Sequence, residues 1–183
     1  KVIESQDFSR FKDQHLIPLV VQDFGTVATE FPIVFVKNND SGQFVPVALM
    51  GLREGVNIYC QEKTWKHSVL PRGFKNAPFS LARKADAENE LMVCIDIDSE
   101  LVSETDGNAL FDDAGEQTDY LKARSEAVGK VAEFNQQTQT ITQHLASLDL
   151  IASRQLTVNL EKEGQPLNIN GLYLIDEKVL NEL

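Results

Sequence analysis

Between residues 120 and 148, side chains suited to one helix face recur at alternating spacings of four and three residues. Because residues three and four apart share a face of an α-helix, this spacing predicts a helical segment that must be covered by another apolar layer. Thr118 is the predicted N-cap, with Asp119 in the first turn. Gly129 and the polar tract 135–140 predict two helices or one bent helix rather than a straight rod. The nine positions of the stripe are Tyr120, Arg124, Ala127, Val131, Phe134, Thr138, Ile141, Leu145 and Leu148.

Runs of β-branched and aromatic residues precede the helical stripe. "FPIVFVK" (31–37), "FVPVALMGL" (44–52) and "VNIYCQ" (56–61) are separated by residues typical of turns. They predict a three-stranded antiparallel meander. "ELMVCIDID" (90–98) is the strongest strand pattern in the chain, and its continuous apolar run predicts a strand in the middle of the sheet.

The C-terminal residues predict a hairpin followed by a short helix. Gly164 is the predicted hairpin turn, Gly171 a second turn, and Asp176 the cap of the final helical turns. The complete pattern predicts one α+β domain over residues 1–183, with an antiparallel β-sheet meander and a helical layer packed on one face. A chain of 183 residues can bury enough surface to fold without a metal or a disulfide. Cys60 and Cys94 are therefore predicted to be buried free thiols, although a disulfide between neighbouring strands is also open.

The charge of the chain limits its partners. The net charge is 17 − 28 = −11, which would repel nucleic acid and an anionic membrane surface. Residues 85–119 contain twelve acidic residues and no lysine or arginine, whereas residues 1–84 carry a surplus of three positive charges. No apolar run approaches the roughly 20 residues of a membrane-spanning helix. With no apolar leader after Lys1, the expected location is the cytoplasm.

The sequence contains no recognised catalytic signature, and neither of the glycine-rich phosphate-binding patterns occurs in it, so we predict no cofactor. Cys60 and His67 are the nearest nucleophile and base in the sequence, but no flanking motif supports a catalytic pair. Acidic residues are better candidates for metal binding. Asp96, Asp98 and Asp106, with Asp112, could form an irregular divalent-cation site, and the alternative is that they are solvated turn residues.

One segment of fifteen residues has an unusual composition. "WKHSVLPRGFKNAPF" (65–79) contains the only tryptophan, two phenylalanines and two prolines. Its prolines and glycine predict a structured loop. Trp65, Arg72, Lys75 and Phe79 are the candidate ligand-binding residues, because aromatic rings beside cations form stacking and cation–π surfaces for a sugar or a peptide. Alternatively, the aromatic rings fill the core and the cations pair with the acidic residues.

The order of these motifs resembles the SapC-like family of bacterial proteins. The resemblance rests on "FPIVFVK", "FVPVALMGL", a tryptophan followed by proline, arginine and "PF", then "VCID", G-x-x-LF-D-x-x-G and "GLYLID". It extends from about residue 15 to the end of the chain. The family takes its name from a protein associated with a paracrystalline bacterial surface layer, and the resemblance supplies no catalytic residues.

The resemblance implies a non-enzymatic accessory or binding protein, connected with the cell surface layer, whose partner is a protein or a carbohydrate. Two alternatives remain open at this point. One is a metal-dependent enzyme that uses Asp96, Asp98 and Asp106, and the other is a structural subunit of a surface array. The oligomeric state does not follow from the residues.

Overall fold

Two antiparallel β-sheets and one long helix dominate the described part of the chain. The computed structural model describes residues 1–60, 63, 65, 67–84, 87–159 and 166–183, with the backbone alone at 83 and 87–90. The strands are β1 (Leu16–Pro18), β2 (Ile33–Lys37), β3 (Phe44–Leu49), β4 (Phe79–Lys84), β5 (Ala87–Ile95), β6 (Ile151–Val158) and β7 (Leu167–Ile175). The helices are α1 (Phe24–Val27), α2 (Arg72–Asn76), α3 (Asp119–Ser147) and α4 (Glu177–Asn181).

The larger sheet has five strands in the order β1-β3-β2-β7-β6, and every neighbouring pair is antiparallel. β4 and β5 form a separate two-stranded sheet. The long helix α3 packs against both β3 and β4 and so connects the two sheets. The predicted α+β class, with antiparallel sheet and a helical layer, is confirmed.

The predicted third strand of the meander is wrong. Residues 56–60 form turns, because β1 already occupies the free edge of β3 with Leu16 opposite Leu49. The side-chain amide of the fully buried Asn57 instead donates a hydrogen bond of 3.3 Å to the carbonyl oxygen of Phe11. Val56 and Ile58 are 38% and 59% exposed, so the strand-like alternation at 56–60 does not mark the buried face of a sheet.

The strongest strand pattern forms β5, but its predicted place in the middle of the sheet is wrong. β5 pairs with its sequence neighbour β4, and Phe79 lies opposite Ile95. Leu91 and Met92 are about half exposed, at 55% and 49%. The apolar run therefore marks an accessible strand that pairs with its sequence neighbour and not with the larger sheet.

The helical stripe forms one uninterrupted helix of 29 residues, so the alternative of two separate helices is wrong, while a bend in the single helix stays a prediction. Thr118 is its N-cap and accepts a hydrogen bond of 3.3 Å from the backbone N–H of Leu121, as predicted. The polar tract does not interrupt the helix, because the hydroxyl of buried Thr138 donates to the Phe134 carbonyl and accepts the backbone N–H of Val21. The Thr138 hydroxyl thus has both a hydrogen-bond acceptor and a donor, although it lies on the packed face of the helix.

The C-terminal strands form the predicted hairpin and the predicted final helix. β6 and β7 pair along their length, but the predicted turn at Gly164 lies outside the described residues. Gly171 is not a turn. It lies inside β7 with φ of +79°, where the register shifts between Arg154 and Leu156, so it forms a β-bulge.

Asp176 caps α4, and this contact gives a prediction for the effect of pH. Its carboxylate accepts hydrogen bonds from Arg154 at 2.9 Å and from the backbone N–H of Lys178 at 3.0 Å. The Arg154 hydrogen bond, followed by that of Lys178, lowers the pKa of Asp176. A lowered native-state pKa contributes stability above the unfolded-state pKa of about 3.9, and this stability is lost as the pH falls through the native value.

We therefore expect Asp176→Asn to reduce the loss of stability between about pH 5 and pH 3. The asparagine oxygen can still accept from Lys178 but has no charge to lose. Urea unfolding midpoints at both pH values measure the effect, with Asp113→Asn at an exposed aspartate as control. An identical pH dependence in Asp176→Asn and the original chain would contradict the role of this carboxylate.

Three apolar clusters form the core. The largest lies on one face of the five-stranded sheet and includes Phe11, Met50 and Phe74, and a second surrounds Phe79 and Leu121 between β4–β5 and α3. The third lies around Val34, Val47, Leu49 and Leu172. Segment 65–79 contributes to the first two clusters. It therefore crosses from one sheet to the other with α2 at its centre.

Candidate functional site

Trp65 lies in the wall of the largest apolar cluster. It is half-buried, and its ring centroid lies 5.8 Å from that of Phe8, 5.9 Å from that of Phe31 and 5.7 Å from that of Phe74. The indole N–H donates a hydrogen bond of 3.0 Å to the Val69 carbonyl oxygen. The indole therefore packs against other aromatic rings of the core, and its N–H group already has a hydrogen-bond acceptor within the fold.

Arg72 forms a two-pronged ion pair with Asp23. Its Nε and Nη2 atoms lie 3.1 and 2.8 Å from Oδ1 of this buried aspartate, and its guanidinium carbon lies 5.4 Å from the centre of the Phe134 ring. The fork geometry matches a carboxylate and holds α2 against the segment before α1. Lys75 lines the same cleft of about 240 Å³ as this ion pair.

Phe79 is separate from the other three predicted ligand-binding residues. It is 6% exposed and belongs to the cluster beneath α3, where the guanidinium carbon of Arg124 lies 5.6 Å from its ring centre. The structure thus brings Arg72 and Lys75 together and places Trp65 and Phe79 in two different apolar clusters. A ligand-binding role for these four residues stays a prediction.

The predicted metal ligands are not gathered into one site. Asp96, Asp98 and Asp106 are all exposed. Asp96 accepts the backbone N–H of Asp98, and Asp106 accepts the hydroxyl of Thr105 at 2.8 Å. Within the described ranges, no group of three or more histidine, cysteine, aspartate or glutamate side chains could hold a metal ion. The carboxylates serve local turns.

The environment of Cys60 does not favour a nucleophile. The side chain is fully buried, and burial raises the pKa of its thiol to about 11, against the weaker opposing effect of Arg10. The thiolate is the reactive form, so this thiol is inert near neutral pH. Cys60 and Cys94 are both free, but only Cys60 is buried.

A second and larger cleft also borders α2. Its volume is about 320 Å³, and it opens between α2, α3 and the N-terminal residues. Arg10, Arg124 and Lys75 supply positive charge to its lining, and Glu4 supplies the only carboxylate among the residues that line it. We call this site the basic cleft. Its apolar walls come from Val2, Ile3, Phe8, Leu70, Phe74 and Leu101.

Arg10 is held over two aromatic rings at the edge of the basic cleft. Its guanidinium carbon lies 5.2 Å from the Phe8 ring centre and 4.7 Å from the Phe11 ring centre, and one Nη donates to the Asp7 carbonyl oxygen. Desolvation lowers the pKa of this guanidinium, although Glu100 and Asp7 favour its charged form. An arginine remains charged under these conditions, so the cleft retains a partly dehydrated cation.

Arg124 reaches the basic cleft from α3. Its Nη2 donates to the backbone carbonyl of Lys75, which fixes the C-terminal end of α2 to α3. Tyr120 lies one turn earlier on the same helix and also lines the cleft. Burial raises the pKa of the Tyr120 phenol, so its hydroxyl remains a hydrogen-bond donor at neutral pH.

Each of the two arginines has one unsatisfied hydrogen-bond donor. The Nε atoms of Arg10 and Arg124 are buried without a hydrogen-bond partner, and neither guanidinium has a carboxylate ion-pair partner among the described residues. Leaving a buried donor unpaired costs about 1–3 kcal/mol. Because these Nε atoms are buried, an oxyanion that entered the cleft would accept hydrogen bonds from the Nη groups of the two arginines.

Sequence reasoning missed Arg10 and did not interpret Arg124 as a site residue. Arg124 had a usable signal, because it is the only cation at a stripe position that is otherwise occupied by apolar, aromatic or threonine residues. Arg10 had none, because Arg124, the arginine that meets it in the cleft, is more than a hundred positions away in the chain.

Comparisons with known proteins give one match. A protein-family model described as SapC matches residues 1–183, which is the whole chain. No curated protein and no solved structure matches it. Among the described helices, none is long and apolar enough to cross a membrane.

Proposed function

Since this chain belongs to the SapC family, we propose that it is a non-enzymatic accessory protein of the bacterial cell that binds a small anionic ligand in the basic cleft. The ligand carries a carboxylate or phosphate group on an apolar or sugar body. A connection with the cell surface layer and the cellular location stay predictions. The binding residues are Arg10, Arg124 and Lys75, with Tyr120 as a neutral donor.

The observation that carries this proposal is that Arg10 and Arg124 both line the cleft and neither has a carboxylate ion-pair partner among the described residues. In a chain of net charge −11, arginines that line a cleft would be expected to pair with one of the many carboxylates. Within the part of the chain that the structure describes, Arg10 and Arg124 instead donate to backbone carbonyls. Their charge therefore remains available to a ligand, and charged hydrogen bonds contribute about 1.5–3 kcal/mol each.

The size of the cleft limits the ligand. A volume of about 320 Å³ lies at the lower end of the range for small-molecule sites. Apolar walls around a few cationic groups suit a compact molecule with one charged end. An acidic sugar, an aromatic carboxylate and a phosphate monoester share this chemistry, so the test compares them directly.

Titration calorimetry with glucuronate, benzoate and phenyl phosphate tests the proposal, and glucose, benzyl alcohol and phenol are the neutral counterparts. We expect at least one anion to bind and its neutral counterpart to fail. Arg124→Gln removes the charge and should weaken binding by about tenfold or more. Lys130→Gln is the matched control, because it removes one exposed cation from the same helix outside the cleft.

Arg124→Lys separates charge from geometry, since it retains the positive charge but cannot form the two-pronged contact. Its affinity should lie between those of the original chain and Arg124→Gln. Melting temperatures of all variants show whether a loss of binding reflects a loss of folding. The proposal is wrong if no anion binds the folded protein, or if Lys130→Gln weakens binding as much as Arg124→Gln.

A further inference from the structure

The outer edge of β5 is open. Within the part of the chain that the structure describes, β5 pairs only with β4, and no backbone hydrogen bond joins the other edge of residues 91–95 to another segment. An unpaired strand edge presents a row of N–H and C=O groups that can pair with an added strand. Native proteins usually protect such an edge with charges, prolines or a covering element.

An apolar groove of about 420 Å³ runs along this edge. Its floor and walls come from β4 and β5, from the loop before α3 and from α3 itself, and include Phe79, Met92, Val93, Cys94, Ile95 and Phe111. We call it the β5 groove. Several of its apolar side chains are accessible: Met92 is 49% exposed, Val93 36% and Phe111 56%. Leu91 beside it is 55% exposed.

The rim of the β5 groove is acidic. Asp96 directly follows β5, Asp112 and Asp113 follow Phe111, and Glu116 lies beside Gln117, which lines the groove. All four acidic residues are exposed. Residues 85–119 contain no lysine or arginine, so the cation nearest to the rim in the sequence is Lys122, which pairs with Asp119 at 3.6 Å.

We infer that the β5 groove binds an extended basic segment of a partner protein, which adds to β4–β5 as a third strand. Main-chain hydrogen bonds to β5 would hold the segment, and alternate side chains would reach the apolar groove. Lysine or arginine side chains on the other positions would face the acidic rim. A second copy of this chain is a poorer occupant, because it would bring one acidic rim against another.

This inference is independent of the basic cleft. The residues that line the basic cleft and those that line the β5 groove do not overlap. The two sites also differ in the sign of their charge and in the size of the expected partner. Failure of one proposal therefore leaves the other standing. The two sites come close where the guanidinium carbon of Arg124 lies 5.6 Å from the ring centre of Phe79, which lines the β5 groove, so the peptide test varies Phe111 and leaves Arg124 unchanged.

The test uses a fluorescent peptide of about nine residues that alternates lysine with valine. A glutamate–valine peptide of the same length and a lysine–valine peptide with a central proline are the controls. We expect the lysine–valine peptide to bind, the glutamate peptide to fail, and the proline peptide to bind more weakly because proline lacks the N–H needed for the ladder. Hydrogen exchange of residues 91–95 should slow when the peptide binds.

Phe111→Lys is the decisive variant, because it removes apolar surface and places a cation in the groove. Phe111 is 56% exposed, so the fold should tolerate the change. We expect an increase of about tenfold in the dissociation constant. Leu180→Lys makes a similar change at the 49% exposed Leu180 of α4, outside the groove, and should have no effect.

Four results would overturn the inference: equal binding of the glutamate peptide, no change in exchange at residues 91–95, equal binding by Phe111→Lys, or no binding of the lysine–valine peptide at all. Light scattering tests whether a second copy of this chain occupies the groove. Self-association of the original chain that disappears in Phe111→Lys would assign the groove to a second copy and would also overturn it.

Discussion

Trp65→Ala is expected to lower the free energy of unfolding by about 3 kcal/mol, the lower end of the range for removing a large aromatic side chain from a core. The indole packs against Phe8, Phe31 and Phe74 with centroid separations below 6 Å. Its removal would leave a cavity among the rings of Phe8, Phe31 and Phe74. Urea unfolding followed by circular dichroism measures the loss.

Trp65→Phe is the control for this variant. It retains a ring in the cluster but loses the hydrogen bond from the indole N–H to the Val69 carbonyl, so its cost should be nearer about 1 kcal/mol. If Trp65→Ala unfolds with the same midpoint as the original chain, the indole does not support the fold. That result would favour the sequence-based prediction that Trp65 is a ligand-binding residue.

Gly51→Ala is the other change with a large expected effect. A Cβ atom at position 51 would overlap the carbonyl oxygen of Val56, and it would also lie 3.6 Å from the side chain of His15. The overlapping atom belongs to the backbone and cannot rotate away, so the turn at 52–56 would have to move. We expect a loss of about 3 kcal/mol, at the upper end of the cost of overpacking.

Gly25→Ala is the matched control, because it adds the same methyl group to α1 with no atom within 4 Å. Alanine is favoured over glycine in a helix, so this variant should be unchanged or slightly more stable. Thermal unfolding of the two variants side by side gives the comparison. Equal melting temperatures would show that the 52–56 turn accommodates the added methyl group and that the close approach does not constrain it.

The two proposed sites carry charges of opposite sign. The basic cleft draws its cations from an N-terminal residue, from α2 and from α3, while the β5 groove has its acidic rim in residues 96–116. A small anion and a basic peptide would each be attracted to one site and repelled by the other. This separation would let a single accessory protein hold a ligand and a protein partner together.

Local patterns in the sequence were sufficient for several elements. Thr118 and Asp176 were predicted as helix caps, and both accept the expected backbone hydrogen bond. Runs 31–37 and 44–52 contain β2 and β3, and the α+β class follows from their combination with the helical stripe. Each of these features depends on residues within a few positions of one another, which is why periodicity and turn chemistry identify them.

Pairing between distant segments could not be predicted in the same way. The run at 56–60 alternates like a strand but forms a turn, because β1 occupies the edge of β3 that this run would need. The apolar run of β5 lies in a second sheet, because it pairs with β4 and not with the meander. A sequence pattern specifies which face of a strand is apolar, but the partner depends on competition among all strands of the chain.

By itself, the sequence determined the fold class, the helical stripe with its N-cap and the family, because each depends on short-range chemistry or on the order of motifs along the chain. Only the tertiary structure decided which residues come together in a candidate binding site. It packed Trp65 and Phe79 into separate apolar clusters, and it brought Arg10 and Arg124 to one cleft across more than a hundred residues. Burial and electrostatics act through space, so a site built from distant residues exists only once the chain has folded.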